Sequence, residues 1–238
     1  MKKLVKLQVR NIFHNKLFYV CLILTLLTTN VITFLVSLFG KNAQTATVCS
    51  QIINLFNSEV SIIGMLFITI FCTFDFSEGT TKNIIGRGYS RIKLLISKYI
   101  GSFIGIITID LISVIFIFLL YAKNGIGWDP SIGLVIPFSI IKIIAFITIY
   151  ATIAFVFEKT SIAIVTNTVL PNMITLLFGM SDTNLHTHMS KYWIENVGEK
   201  FASKATIANM GFPLIMYVIY IVLFVGVGMY LTNKKDIK

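Results

Sequence analysis

Asp110 and Lys142 are the first residues of this chain that call for a chemical explanation, because each interrupts a long apolar run. A charge at such depth costs at least about 2.5–3.5 kcal/mol on insertion scales, so it faces a partner or water. Three uses fit: a structural ion pair between neighbouring helices, a proton or ion relay, or a substrate contact in a cavity. His186 and His188 flank Thr187. Two histidines so spaced can share a zinc on a strand, but a catalytic zinc needs a third protein ligand and an open position. Solvated loop residues are the simpler reading. Gly86 and Gly88 lack the lysine and helix opening of a phosphate cradle, and no GxxxxGK[ST], HExxH or GxSxG occurs. Cys21, Cys49 and Cys72 form no motif and read as small buried hydrophobes. The chain is therefore expected to hold no metal, cofactor or catalytic set of its own.

The elements that carry these residues follow from composition. Hydrophobic types make up 56% of the 238 residues and charged types 13%, with a mean hydropathy of +0.85. A soluble domain carries about 25% charged residues, so a single soluble domain, a disordered chain and a disulfide scaffold are all excluded. The apolar runs are continuous and do not alternate, which favours all-α spans over a barrel. Each needs roughly 20 residues to cross a hydrocarbon core about 30 Å thick. Six are expected: Leu17–Phe39, Val60–Phe74, Tyr99–Tyr121, Leu134–Phe157, Ser161–Met180 and Phe212–Leu231. The second is short. It either recruits residues before Glu59 or lets that carboxylate reach the headgroups. Asp110 falls in the third span and Lys142 in the fourth. At about 1.5 Å per residue they lie roughly 18 Å above Lys98 and roughly 24 Å above Glu158, an offset a lysine stem can close. Pro171 removes a backbone donor from the fifth span and predicts a kink.

Lysine and arginine number 20 against 10 acids. Six spans put both termini on one side. That side collects fourteen cations, from Lys2 to Lys16, from Lys82 to Lys98, at Lys159 and in the tail; the other holds five. Positive charge stays cytoplasmic, so both termini are expected in the cytoplasm of a plasma membrane. The excess charge is then a topology signal with some contact to anionic lipid, not a nucleic-acid surface. The first run is too long for a signal-peptide core and lacks a small-x-small cleavage site, so it is kept as a span.

Residues 1–16 read as an amphipathic interfacial helix. Met1, Leu4, Val5, Val9, Ile12 and Phe13 recur on one face, with Lys3, Lys6, Arg10 and His14 opposite. Residues 77–97 read as a structured hook, not a tether. Ser77 or Thr80 is expected to cap a short helix, Gly86 and Gly88 to end it, and Ser90 to begin a second helix carrying Arg91, Lys93 and Lys98. Residues 181–210 read as outer amphipathic half-helices before the last span. Trp193, Val197 and Phe201 repeat on one face, Glu195, Glu199 and Lys200 on the other, a pattern suited to the headgroup zone and to a gate.

The hook carries a resemblance. Phe76, Glu78, Gly79, Thr80, Lys82, Asn83, Ile84, Gly88, Ser90, Arg91, Lys93, Ser97 and Lys98 follow an order that resembles the loop after the second span of ABC-2-type transporter permeases. Small Gram-positive bacitracin-resistance and lantibiotic-immunity permeases are the nearest type. The whole chain agrees in architecture, about 25 residues in motif. The resemblance implies that the hook is a coupling helix docking on a separate ATPase. That role would fall on Glu78, Gly79, Thr80, Thr81, Lys82, Asn83, Ile84, Ile85, Gly86, Arg87, Gly88, Tyr89, Ser90 and Arg91. Residues 1–16 would be the connecting helix, with Lys3, Lys6, Arg10 and Phe13. Two permeases, identical or paralogous, would join two ATPases that hold ATP and magnesium, in the type V arrangement. The permease itself is then no enzyme. A hydrophobic or amphipathic peptide is the expected cargo of such an exporter; sodium, drugs or lipids fit the same chain. A secondary transporter built on Asp110 and Lys142 is the competing class.

Overall fold

The computed structural model describes residues 1–39, 59–123, 132–198, 201 and 206–234. Every regular element among them is helical. α1 (Lys2–His14) leads into α2 (Lys16–Phe39). A π-helical turn (Glu59–Gly64) runs into α3 (Met65–Ser77), and α4 (Thr80–Gly86) is the short helix of the hook. Then come α5 (Arg91–Lys123), α6 (Ile132–Phe157), α7 (Thr160–Leu185), a 3-10 turn (Met189–Tyr192) and α8 (Ile207–Lys234). By length and composition four helices among the described residues can cross a membrane, or up to six if each of two bent pairs counts as one span. The bent pairs are α1 with α2 (60°) and α3 with α4 (68°). These helices fit a multi-pass membrane protein.

The apolar runs became helices where expected, and several boundaries moved; the fifth runs on to Leu185 and the sixth begins at Ile207, so both take in part of the segment 181–210. The second run starts no later than Glu59, because the π-helical turn extends it outward. The third starts at Arg91, so the helix that restarts after the hook and the third run are one 33-residue helix. Ser90 opens it, accepting from the Lys93 amide through its hydroxyl (3.4 Å) and from the Leu94 amide through its carbonyl (3.1 Å).

α6 is the central element. About two-thirds of its most apolar window is buried, against 17% for α7 and 11% for α8. Ala145, Ala151, Ala154 and, from α7, Ala163 are fully buried. Small residues let helix backbones approach where lipid gives no hydrophobic push between helices. Polar cross-links supply the rest. The Tyr99 and Thr152 hydroxyls lie 2.7 Å apart, and Thr152 also donates to the Phe224 carbonyl (3.2 Å), tying α5, α6 and α8. Asn167 donates to the Thr69 hydroxyl (2.7 Å) and the Tyr150 carbonyl (3.2 Å), tying α7 to α3 and α6. Gly105 lets α5 close on α3: a Cβ there would sit 2.7 Å from the Phe67 ring.

Candidate functional site

A buried, multiply bonded carboxylate lies at the root of the hook. Asp75 ends the apolar run of α3 and is buried. Its Oδ2 accepts from Lys98 Nζ at 2.9 Å and from Gln8 Nε2 at 3.0 Å. Its Oδ1 accepts from the Thr80 hydroxyl at 3.1 Å, which also reaches the Asp75 carbonyl at 3.1 Å. Lys98 in turn donates to the Phe71 carbonyl (2.8 Å) and lies 4.1 Å from the centroid of the Phe71 ring. One carboxylate therefore fastens α1, α3, α4 and α5 together. Gln8, Asp75 and Lys98 are exposed by 0%, 4% and 1%. Burying two ions costs several kcal/mol each, and only close geometry with filled hydrogen bonds offsets that. Both ions here have such partners.

Three expectations change at this point. Lys98 is no solvated loop cation but one half of a buried pair. Thr80 does not cap α4, and neither does Ser77. The Thr80 hydroxyl turns back to Asp75 and the Ser77 hydroxyl to the Phe74 carbonyl (2.8 Å), while Gly79 takes the cap position at φ +67°. The packed face of α1 is Leu4, Gln8 and Ile12, whereas Met1 and Phe13 are exposed. The i, i+4, i+8 stripe places a glutamine in the packed face, and that amide is what reaches Asp75.

The hook stands out from this root. Gly88 ends α4 in the left-handed region (φ +84°), its amide bonded to the Ile85 carbonyl (2.9 Å), as a glycine C-cap requires. Gly86 stays inside the helix. Glu78, Gly79, Lys82, Asn83, Gly86, Arg87, Gly88 and Ser90 are exposed; Thr80, Ile84, Ile85, Tyr89 and Arg91 are half-buried, and Thr81 is buried. Phe76 pins the root to α6, edge-on to Phe155 at 4.9 Å. Open clefts flank the hook: one of about 610 Å³ toward the α1–α2 elbow, one of about 590 Å³ toward the α6–α7 turn at Glu158 and Lys159. On α1, Lys3, Lys6, Arg10 and Phe13 all face outward.

The outer segment is packed in rather than laid on the surface. After the 3-10 turn it runs in turns through Gly198, not as a continuous helix, and Glu199 and Lys200 lie outside the described residues. Ile194, Val197 and Phe201 are buried, and Phe201 packs on Phe138 at 4.1 Å between ring centroids. Trp193 stands edge-on to Phe178 (6.0 Å) and Tyr220 (6.4 Å). Glu195 is not on a solvated face. It accepts from the Thr175 hydroxyl of α7 at 2.7 Å, and it is the carboxylate whose field acts on Lys142. Lys142 and Asp110 are both buried as expected, and the charge of Glu195 in the segment after α7 also acts on the lysine. The lysine ammonium also lies 5.6 Å from the centroid of the Phe146 ring. His186 and His188 are exposed, each with positive φ. No cluster of three potential metal ligands occurs among the described residues.

No family model, no curated protein and no solved structure matches the chain.

Proposed function

We propose that this chain is the membrane-spanning subunit of an ATP-driven exporter, with the hook Glu78–Arg91 as its docking element for a cytoplasmic ATPase. The observation that carries the reading is the contrast within the hook. Its tip is exposed between two clefts, while its root is locked through Asp75 to α1, α3 and α5. A surface loop kept only for its charge has no need of a buried ion pair at its base. A loop that must convey force does, because a compliant root would absorb the motion instead of passing it on.

In this reading six spans cross a bacterial plasma membrane with both termini in the cytoplasm. α1 is the interfacial connecting helix. A second copy or a paralogue completes the path, and two ATPase subunits bind ATP and magnesium. ATP favours the closed pair of ATPases, and that difference in affinity supplies the work. The cargo is a hydrophobic or amphipathic peptide, with Trp193, Val197 and Phe201 forming the outer gate. The exposed apolar side chains of α7 and α8, such as Val165, Leu176, Ile215 and Val222, leave room for lipid or a second copy.

Co-purification from the native membrane tests this. A P-loop ATPase should come down with the chain. Glu78→Ala combined with Arg91→Ala should leave ATP hydrolysis running while export stops. A chain that transports alone on a proton gradient, and loses that on Asp110→Asn, would be a secondary carrier instead. The burial of two charges within the apolar runs, Asp110 and Lys142, is what favours that second reading.

A further inference from the structure

The cleft at the α1–α2 elbow has a composition that the docking role of the hook does not explain. It measures about 610 Å³, within the roughly 300–1,000 Å³ of ligand sites. Phe71, Phe74 and Ile84 give it an apolar wall, and the buried Asp75–Lys98 pair lines its depth. Its rim carries Lys16 and Arg87, both exposed. The acid in its lining is Asp75, whose charge is already met by Lys98 at 2.9 Å. The cleft therefore presents uncompensated positive charge at its rim beside an apolar wall.

Its position sharpens this. Lys16 is the first residue of α2, where the chain turns by 60° from α1 into the apolar run. Val20, Ile23 and Leu27 follow Lys16 at i+4, i+7 and i+11, on one face of the helix. They are exposed by 52%, 56% and 56%. A cation thus heads an apolar track that rises from the cleft. A molecule with an anionic head and a long aliphatic tail matches both parts, whereas a soluble phosphate would use only the first.

We propose that this cleft is a binding site for an anionic phospholipid of the inner leaflet. Its phosphate is held between Lys16 and Arg87, and one acyl chain lies along Val20, Ile23 and Leu27. The lipid would fill the space between the N-terminal helix and the hook. This rests on the membrane placement of the proposed function, though not on ATP-driven transport.

The test is photo-crosslinking of the full chain in phosphatidylcholine vesicles doped with phosphatidylglycerol bearing a diazirine in its acyl chain. Phosphatidylcholine with the same diazirine serves as comparison. The expected result is labelling of the peptides around Lys16–Leu27 and Phe71–Phe74 by the glycerol lipid above the choline lipid. That preference should fall roughly fivefold for each cation removed in Lys16→Gln and Arg87→Gln, and survive in Lys16→Arg with Arg87→Lys. Equal labelling by both lipids would overturn the proposal. So would an equal loss in the charge-matched control Lys2→Gln with Lys3→Gln, which would mark a general surface potential. Competition by free glycerol phosphate would also overturn it, by assigning the cleft to a soluble ligand. Separately, Arg87→Cys in a Cys49→Ser background, labelled by an impermeant maleimide on intact cells where the Cys49→Ser parent is not, would place the hook outside. That would sink the proposed function while the crosslinks still report on the cleft.

Discussion

Asp75→Asn keeps the shape of the side chain and removes its charge, leaving Lys98 buried beside a neutral amide. At 2.9 Å and an effective dielectric of about 20, the lost attraction is about 6 kcal/mol before relaxation. Measured losses on breaking a buried pair run about 3–5 kcal/mol. For a chain of this size that corresponds to a fall of roughly 6–20 °C in melting temperature. The double change Asp75→Leu with Lys98→Met removes both ions and should recover most of the loss, since apolar replacements of buried pairs are often neutral or better. The assay is thermal unfolding in detergent, followed by the folded fraction in size exclusion. Coupling between the two positions should then exceed the few tenths of a kcal/mol seen for independent sites. The same double variant separates stability from transmission. It folds, yet Gln8 and Thr80 have lost their shared acceptor, so α1 and the hook are no longer fastened to α3 and α5. Stimulated ATP hydrolysis should persist while export drops. A single Asp75→Asn as stable as the parent, or a double as unstable as the single, would refute the account of the root as a closed ionic junction.

Other changes probe other joints. Gly105→Ala places a methyl 2.7 Å from the Phe67 ring and should cost about 1–3 kcal/mol in thermal unfolding, with partial rescue by Phe67→Leu. Gly88→Ala holds alanine at φ +84° and should cost about 1–2 kcal/mol. Because the hook is exposed, that loss should show as weaker ATPase capture before it shows as global unfolding. Glu195→Gln keeps an acceptor for the Thr175 hydroxyl but removes a charge whose field acts on Lys142, whereas Lys142→Met removes the buried ion altogether. The first should lower the melting temperature by more than the second, and the reverse order would mean that Glu195 does not serve that lysine.

The long helices were legible because an apolar run of about 20 residues has one stable solution in lipid, a helix. The hook was legible as an ordered piece because its glycines mark where the chain must reverse, and Gly79 and Gly88 do hold the two left-handed positions. The junction at its root was not. Gln8 lies on the same stripe as Leu4 and Ile12, but a pattern that sorts residues into apolar and charged faces passes over a neutral amide. Asp75 and Lys98 stand at the ends of two apolar runs, where charge is ordinarily solvated, so Lys98 was counted with the topology signal. The clue available beforehand was their placement on the same side, one closing a run and the other opening the next, which brings them level when the runs pack antiparallel. Glu195 was misplaced for a related reason. The period places Trp193 and Val197 on one packed face, and the Val197 amide does bond the Trp193 carbonyl (2.9 Å), but a binary face assignment gives no reason for Glu195 to be half-buried and bonded to Thr175 of α7.

The distribution of polar cross-links bears on which parts can move together. On the hook side, Asp75 joins α1, α3, α4 and α5 through charged hydrogen bonds, each worth roughly 1.5–3 kcal/mol. At the very next residue of α5 after Lys98, the chain from Tyr99 through Thr152 to the Phe224 carbonyl joins it to α6 and α8. Toward α7 the links are neutral: the Thr73 and Thr160 hydroxyls at 2.9 Å, and Asn167 with Thr69 and Tyr150. Neutral bonds exchange partners at lower cost than an ionic junction, and α7 buries little of its apolar surface in this chain. A force on the hook is thus expected to carry α1, α3 and α5 as one block against α7. The Asn167 contact is where the two would slide. Asn167→Ala should therefore change transport more than Asp75-dependent stability, and a variant that lost both equally would mean that the helices shift as a single body.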